Sequence, residues 1–133
     1  MAALTKDRDT PMMGEGGMMF VLPHGSAVTI YRGALVVVDS TGTVKPGTTA
    51  TGLKAAGRAE TGTTDDAALA RFRRGVFLFE NSASGEAITN AHYGDDVFIV
   101  DDQTVARTNG TGTRSVAGKC RGVHASGRVW VEI

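Results

Sequence analysis

The chain has 133 residues, including 18 Gly and 16 Thr, and its 14 Lys and Arg balance 14 Asp and Glu. That length fits one domain with its own core, the composition disfavours a helical bundle, and zero net charge disfavours a general binder of nucleic acid or anionic membrane. A single Cys120 excludes an intrachain disulfide framework, no apolar stretch is long enough to span a bilayer, and residues 1–9 carry charges where a secretory signal would be apolar, so composition predicts a soluble β-rich domain made in the cytosol.

Residues 1–17 read as an extended N-terminal arm. Lys6-Asp7-Arg8-Asp9-Thr10-Pro11 is polar, and Met12, Met13, Met18 and Met19 surround the glycine-rich Gly14-Glu15-Gly16-Gly17. Alone, such a segment buries too little surface to offset its ordering entropy. From residue 18 to 133 the pattern is short apolar runs separated by turn residues. Met18 to Leu22 forms a strand ending at Pro23. Ser26 to Tyr31 alternates Val28 and Ile30 against Thr29 and Tyr31 and predicts a second. Ala34 to Val38 is continuously apolar, as in a strand covered on both faces, and Asp39-Ser40-Thr41-Gly42 is a turn.

Val44 to Thr51 reads as a connection, Leu53 to Ala59 as a weak strand containing Gly57, and Asp65 to Ala70 as a helical turn. Arg71 to Glu80 predicts one strand with a bulge at Gly75. Ala87 to Tyr93 reads as another helical turn. Val97 to Val100, Thr104 to Arg107, Val116 to Val123 and Arg128 to Ile133 complete the strands. In the last, Val129, Val131 and Ile133 oppose Arg128, Trp130 and Glu132. The fold class is therefore mainly β: a single compact antiparallel β-barrel or sandwich-like domain behind the arm.

Candidates for chemistry do not converge in the sequence. His24, His92 and His124 are scattered. Cys120 and His124 share a strand face at a spacing too long for ordinary two-ligand zinc chelation. The pairs Asp65-Asp66, Asp95-Asp96 and Asp101-Asp102 sit at run ends, where Asp caps turns and blunts strand edges. Neighbouring strand residues also point to opposite faces. No nucleophile elbow, Walker loop or dinucleotide fingerprint occurs. The reading is no enzyme, no cofactor and no metal. Arg71, Arg73 and Arg74 around Phe72 read as a solvated strand end or interface rather than a nucleic-acid patch. Trp130 faces away from Val129 and Val131, and so either enters a second packed layer or anchors an interface.

Ordered segments of the chain resemble the small capsid decoration (cement) proteins of tailed phages and prophages. They are Ala3 to Pro11, Arg74-Gly75-Val76-Phe77, Gly94 to Ala106, Thr113 to Lys119, and Gly127 to Ile133. His124 to Gly127 departs from the family pattern, in which an acidic residue is expected at this loop. The resemblance implies a non-enzymatic structural protein, made in the bacterial host cytoplasm and carried on the outer capsid surface of the virion. It implies binding to the major capsid protein lattice and bridging of capsomers, with no direct contact to nucleic acid or membrane. The arm residues expected to touch the capsid are Leu4, Thr5, Arg8, Thr10, Pro11, Met12 and Met13. A homo-oligomer is expected, a trimer first and a dimer second, with Trp130, Tyr31 and Arg128 at its interface.

Two other readings remain. One is a β-rich carbohydrate- or cell-surface-binding module on a virion, for which the chain offers few aromatic platforms. The other is a small hydrolase, which requires His92 to meet Asp95 or Asp101.

Overall fold

The computed structural model describes residues 5, 6, 8 and 18–133. Ten strands run through it: β1 (Met19–Pro23), β2 (Leu35–Val38), β3 (Val44–Pro46), β4 (Lys54–Ala59), β5 (Leu69–Arg73), β6 (Val76–Asn81), β7 (Asp96–Ile99), β8 (Thr104–Ala106), β9 (Val116–Val123) and β10 (Val129–Glu132). They form two units, a five-stranded sheet in the order β1-β5-β4-β2-β3 and a closed barrel in the order β10-β6-β8-β7-β9. No helix among the described residues is long and apolar enough to cross a membrane.

The apolar run at 34–38 explains why the two units stay together. Leu35 and Val37 point from β2 into the barrel's core, against Phe79, Ile88, Val97, Ile99, Val105, Val129 and Val131. Val36, on the opposite face, joins Ile30, Val44, Ala70 and Phe72 in a second core. One strand therefore contributes to both cores, which is why it is buried on both sides. Hydrogen bonds that fasten the units include Leu35 N–H to Asp102 O at 2.8 Å, Thr49 Oγ1 to Val100 O at 2.7 Å, Ser115 Oγ to Ala50 O at 2.7 Å, and Leu53 N–H to Ser115 Oγ at 3.1 Å. Ser115 is buried, and its hydroxyl both donates and accepts, so it carries no unmet polar cost.

The mainly β expectation holds, with changes of detail. Arg71 to Glu80 is two strands in different sheets, not one strand with a bulge. Arg74 N–H bonds to Met18 O beside β1, while Ile133 N–H bonds to Gly75 O beside β10, so Arg74-Gly75 is where the chain crosses. The two ends of the run bury their aromatics in different cores, Phe72 in the sheet and Phe79 in the barrel, and this forces the break. The barrel is not wholly antiparallel, because β6 pairs with β8 in parallel, Glu80 opposite Thr104 and Asn81 opposite Val105.

Ser26 to Tyr31 has the expected alternation, with Ile30 buried and Tyr31 exposed, but no strand partner. Ile30 exchanges bonds instead with Thr63, whose amide donates to Ile30 O and whose Oγ1 accepts from Ile30 N–H. Val44–Pro46, expected as connection, is β3. Asp65 to Ala70 is no helical turn, because the Asp66 carboxylate accepts from the Ala68 and Leu69 amides and leads straight into β5. The stretch at 87–93 holds the 3-10 turn Asn90–His92, closed by a capping box with Thr89, and a second 3-10 turn spans Ser84–Glu86.

Close backbone contact decides two glycines. A Cβ at Gly57 would lie 2.2 Å from Arg73 O, and one at Gly118 2.2 Å from Glu132 O. Gly57 also has φ +152, which side chains rarely adopt. Both sit in strands where a neighbouring strand passes close by.

Candidate interaction surfaces

The chemical candidates are spread apart and held in structural bonds. Among the described residues no three His, Cys, Asp or Glu side chains gather as a metal site would require. Cys120 is fully buried in the barrel core, while the His124 ring bonds Ser126 at the surface, so the two are not co-ligands. His92 Nδ1 accepts from the Thr89 amide, and Asp95 meets His92 through its own amide to His92 O, as a turn contact. His24 lies at the end of β1, with Nδ1 2.9 Å from Gly25 O and Nε2 2.8 Å from Asp66 O. These carbonyls, Gly25 first, raise its pKa above the ordinary 6.5.

The carboxylates work as caps and ion pairs. Asp39 accepts from Thr41 Oγ1 and the Thr41 and Thr43 amides, which hold it below its usual range, the Thr41 hydroxyl first. Asp65 takes both Nε and Nη2 of Arg32, at 3.1 and 2.9 Å, and is lowered chiefly by that guanidinium. Asp101 caps the Gln103 amide, and Asp96 pairs with Lys119 across the β7–β9 ladder. Glu86 accepts from Thr108 and from Arg114 Nη1 and is lowered first by the Thr108 hydroxyl, tying the 3-10 turn at 84–86 to the loop before β9. Of the arginine cluster, Arg73 joins Arg58 on Glu60, Arg71 is exposed, and Arg74 Nε donates to Ile133 O. Arg58 also stacks over the Phe77 ring at 4.5 Å. Exposed pairs of this kind contribute little stability.

What the surface offers is contact area. Trp130 is 37% exposed on the outer barrel wall, opposite Leu78 on β6, with the His124 ring edge-on at 6.2 Å. Alternation along β10 buries Val129 and Val131 and turns Trp130 outward, as expected, and among the described residues no second layer covers it. Arg128, just before β10, contacts Ser126 Oγ at 3.3 Å and Glu80 at 3.9 Å. Tyr31 is 69% exposed in the segment before β2, beside a polar groove formed with Arg32, Gly33, Asp102 and Gln103. Trp130 and Arg128 thus share the barrel wall, and Tyr31 belongs to a different groove. Of the arm residues, Thr5 and Arg8 are exposed, and Leu4, Thr10, Pro11, Met12 and Met13 lie outside the described residues.

Sequence reasoning missed one surface. Val21 and Leu22 of β1 are exposed, and a groove of about 410 Å³ runs beside them, lined by Phe20, Val38, Ala56, Phe72 and Arg74. Its signal was present in Met19-Phe20-Val21-Leu22, four apolar residues in a row that fill both faces of a strand directly after the glycine-rich joint. Comparison with family models, curated proteins and solved structures finds no match.

Proposed function

We propose that this chain is a capsid decoration protein, a non-enzymatic virion component that binds the outer face of the major capsid protein lattice and bridges capsomers. The observation that carries the reading is where the family-like segments fall. Gly94 to Ala106 and Gly127 to Ile133 contain β7, β8 and β10 whole, Thr113 to Lys119 holds the first half of β9, and Arg74 to Phe77 the start of β6, so these segments touch each strand of the closed barrel. The likeness therefore follows one folding unit rather than scattered turns. Zero net charge suits an outer position better than one against packaged DNA.

On this reading the arm at 1–17 contacts a neighbouring subunit while the β domain holds its own. Two modest contacts made by one molecule act at high effective concentration. Self-association is centred on Trp130 and Arg128, with Tyr31 as a separate contact, and the assembly is a trimer. The test is co-sedimentation of purified protein with expanded shells of the tailed phage or prophage that encodes it. Saturable binding in fixed ratio to the major capsid protein supports the proposal, and absence from the pellet at all ratios rejects it. Deletion of 1–17 lowers occupancy, and unchanged occupancy rejects the role of the arm.

A further inference from the structure

We propose that His24 is an acid-set latch on β1: as an imidazolium it ties the end of the strand to the loop that leads into β5, and as a neutral ring it lets that end loosen. The two ring nitrogens face two carbonyls. Nδ1 lies 2.9 Å from Gly25 O and Nε2 lies 2.8 Å from Asp66 O. A carbonyl oxygen only accepts, so each nitrogen must donate to make its bond, and only the doubly protonated ring carries two N–H groups. A neutral imidazole has one N–H and one lone pair. It keeps at most one of the two bonds and turns its lone pair on the other carbonyl.

The charges around the ring favour the closed form. The Asp66 carboxylate, which caps the Ala68 and Leu69 amides, acts on the half-buried ring and stabilises the cation. Arg71 of β5 acts in turn on Asp66. On β3, Lys45 stands next to Val44, the bridge partner of His24, and acts on Asp39. Both carbonyls raise the pKa of the ring, so the latch is closed below the raised value and opens as pH rises through it.

Its place in the sheet gives the latch leverage. Among the described residues β1 has β5 on one side and only the His24–Val44 bridge on the other. The His24 amide donates to Ala68 O at 3.0 Å, so ring and backbone of one residue grip two carbonyls of the same loop. Strand ends with few partners are where local opening begins. Phe20 of β1 stacks on Phe72 at 6.0 Å, so a hold on β1 is also a hold on one side of the second core. The inference concerns the free protein and stands whether or not the chain decorates a shell.

The experiment is NMR of the full nitrogen-labelled chain, reading the protonation of the His24 ring nitrogens and the hydrogen exchange of the amide at position 24 across the same pH series. Expected is a ring midpoint above 6.5. Protection of the amide, corrected for the intrinsic rate, should fall about threefold as pH rises through that midpoint. In His24→Gln, which does not titrate, protection should stay level over the same range. A ring midpoint at or below 6.5 would overturn the latch. Wild-type protection that stays level through the midpoint, or that falls equally in His24→Gln, would overturn it too. Should the variant fail to fold, the wild-type midpoint and protection decide the matter by themselves.

Discussion

Leu35→Ala tests whether the sheet and the barrel are one cooperative unit. Leu35 belongs to the open sheet by hydrogen bonding, yet its fully buried side chain sits in the barrel's core near Ile99. Truncation removes three carbons, each worth about 0.8 kcal/mol of transfer free energy. β2 is paired on both sides, with β3 and β4, so its backbone cannot collapse into the space. A residual cavity of about 60 Å³ at ~24 cal/mol per Å³ adds roughly 1.5 kcal/mol. The expected loss is therefore about 4 kcal/mol, a drop in Tm of about 14 °C for a chain of this length. Urea unfolding should be followed by far-UV circular dichroism, which sees both units, and by fluorescence of Trp130, the single tryptophan, which sits on the barrel. Both curves should move together. A loss under about 1 kcal/mol, or a Trp130 transition that stays in place while the dichroism shifts, would refute the shared core.

Gly118→Ala should destabilise by about 2 kcal/mol or more, because the new methyl meets the Glu132 carbonyl and must push β9 from β10; thermal melting checks it, and an unchanged Tm would contradict the packing. His24 has a raised folded-state pKa, so its contribution is full below its unfolded value of 6.5 and is lost as pH rises through the folded one. The Tm gap between wild type and His24→Gln should accordingly be widest below about pH 6 and shrink above it. The lowered carboxyls of Asp39, Glu60, Asp65, Asp66 and Glu86 contribute above their unfolded values and lose this as pH falls through the folded ones, so overall stability should peak on the acid side of neutral. A Tm gap at His24 that widens above pH 7 would contradict the first sign, and a Tm that rises as pH falls below about 4 would contradict the second. Cys120 should resist thiol reagents in the folded state and react at the rate of global unfolding; fast labelling in native buffer would show that the barrel opens locally.

Much of the fold was written in short-range pattern. The run at 34–38, the alternation of 128–133 and the turn residues at 39–42 act through local physics, namely burial on both faces, period-two burial and Asx capping. They appear in the structure as read. The outward position of Trp130 followed from the same alternation. Local pattern also placed Val28 and Ile30 inward at 26–31, but could not say that Ile30 would pair with the Thr63 loop instead of a strand. Hydrogen-bond partners are set by whatever arrives from elsewhere in the chain.

Three features were decided by tertiary structure. The division of 71–80 at Gly75 depends on Phe72 and Phe79 entering different cores, and a stretch of sequence cannot show which core a side chain will join. The parallel β6–β8 pair requires the chain from 82 to 103 to cross back, which no local signal encodes. The groove beside β1 is lined by Phe20 of β1, Phe72 of β5, Ala56 of β4 and Val38 of β2, and a surface shared by four strands belongs to the assembled sheet rather than to any segment. By itself, then, the sequence determined a β domain of short strands, its turns and its inward and outward faces, because those follow from nearest-neighbour chemistry. The structure alone decided how strands partition between sheet and barrel and which apolar side chains are exposed among the described residues, because those follow from contacts between residues far apart in the chain.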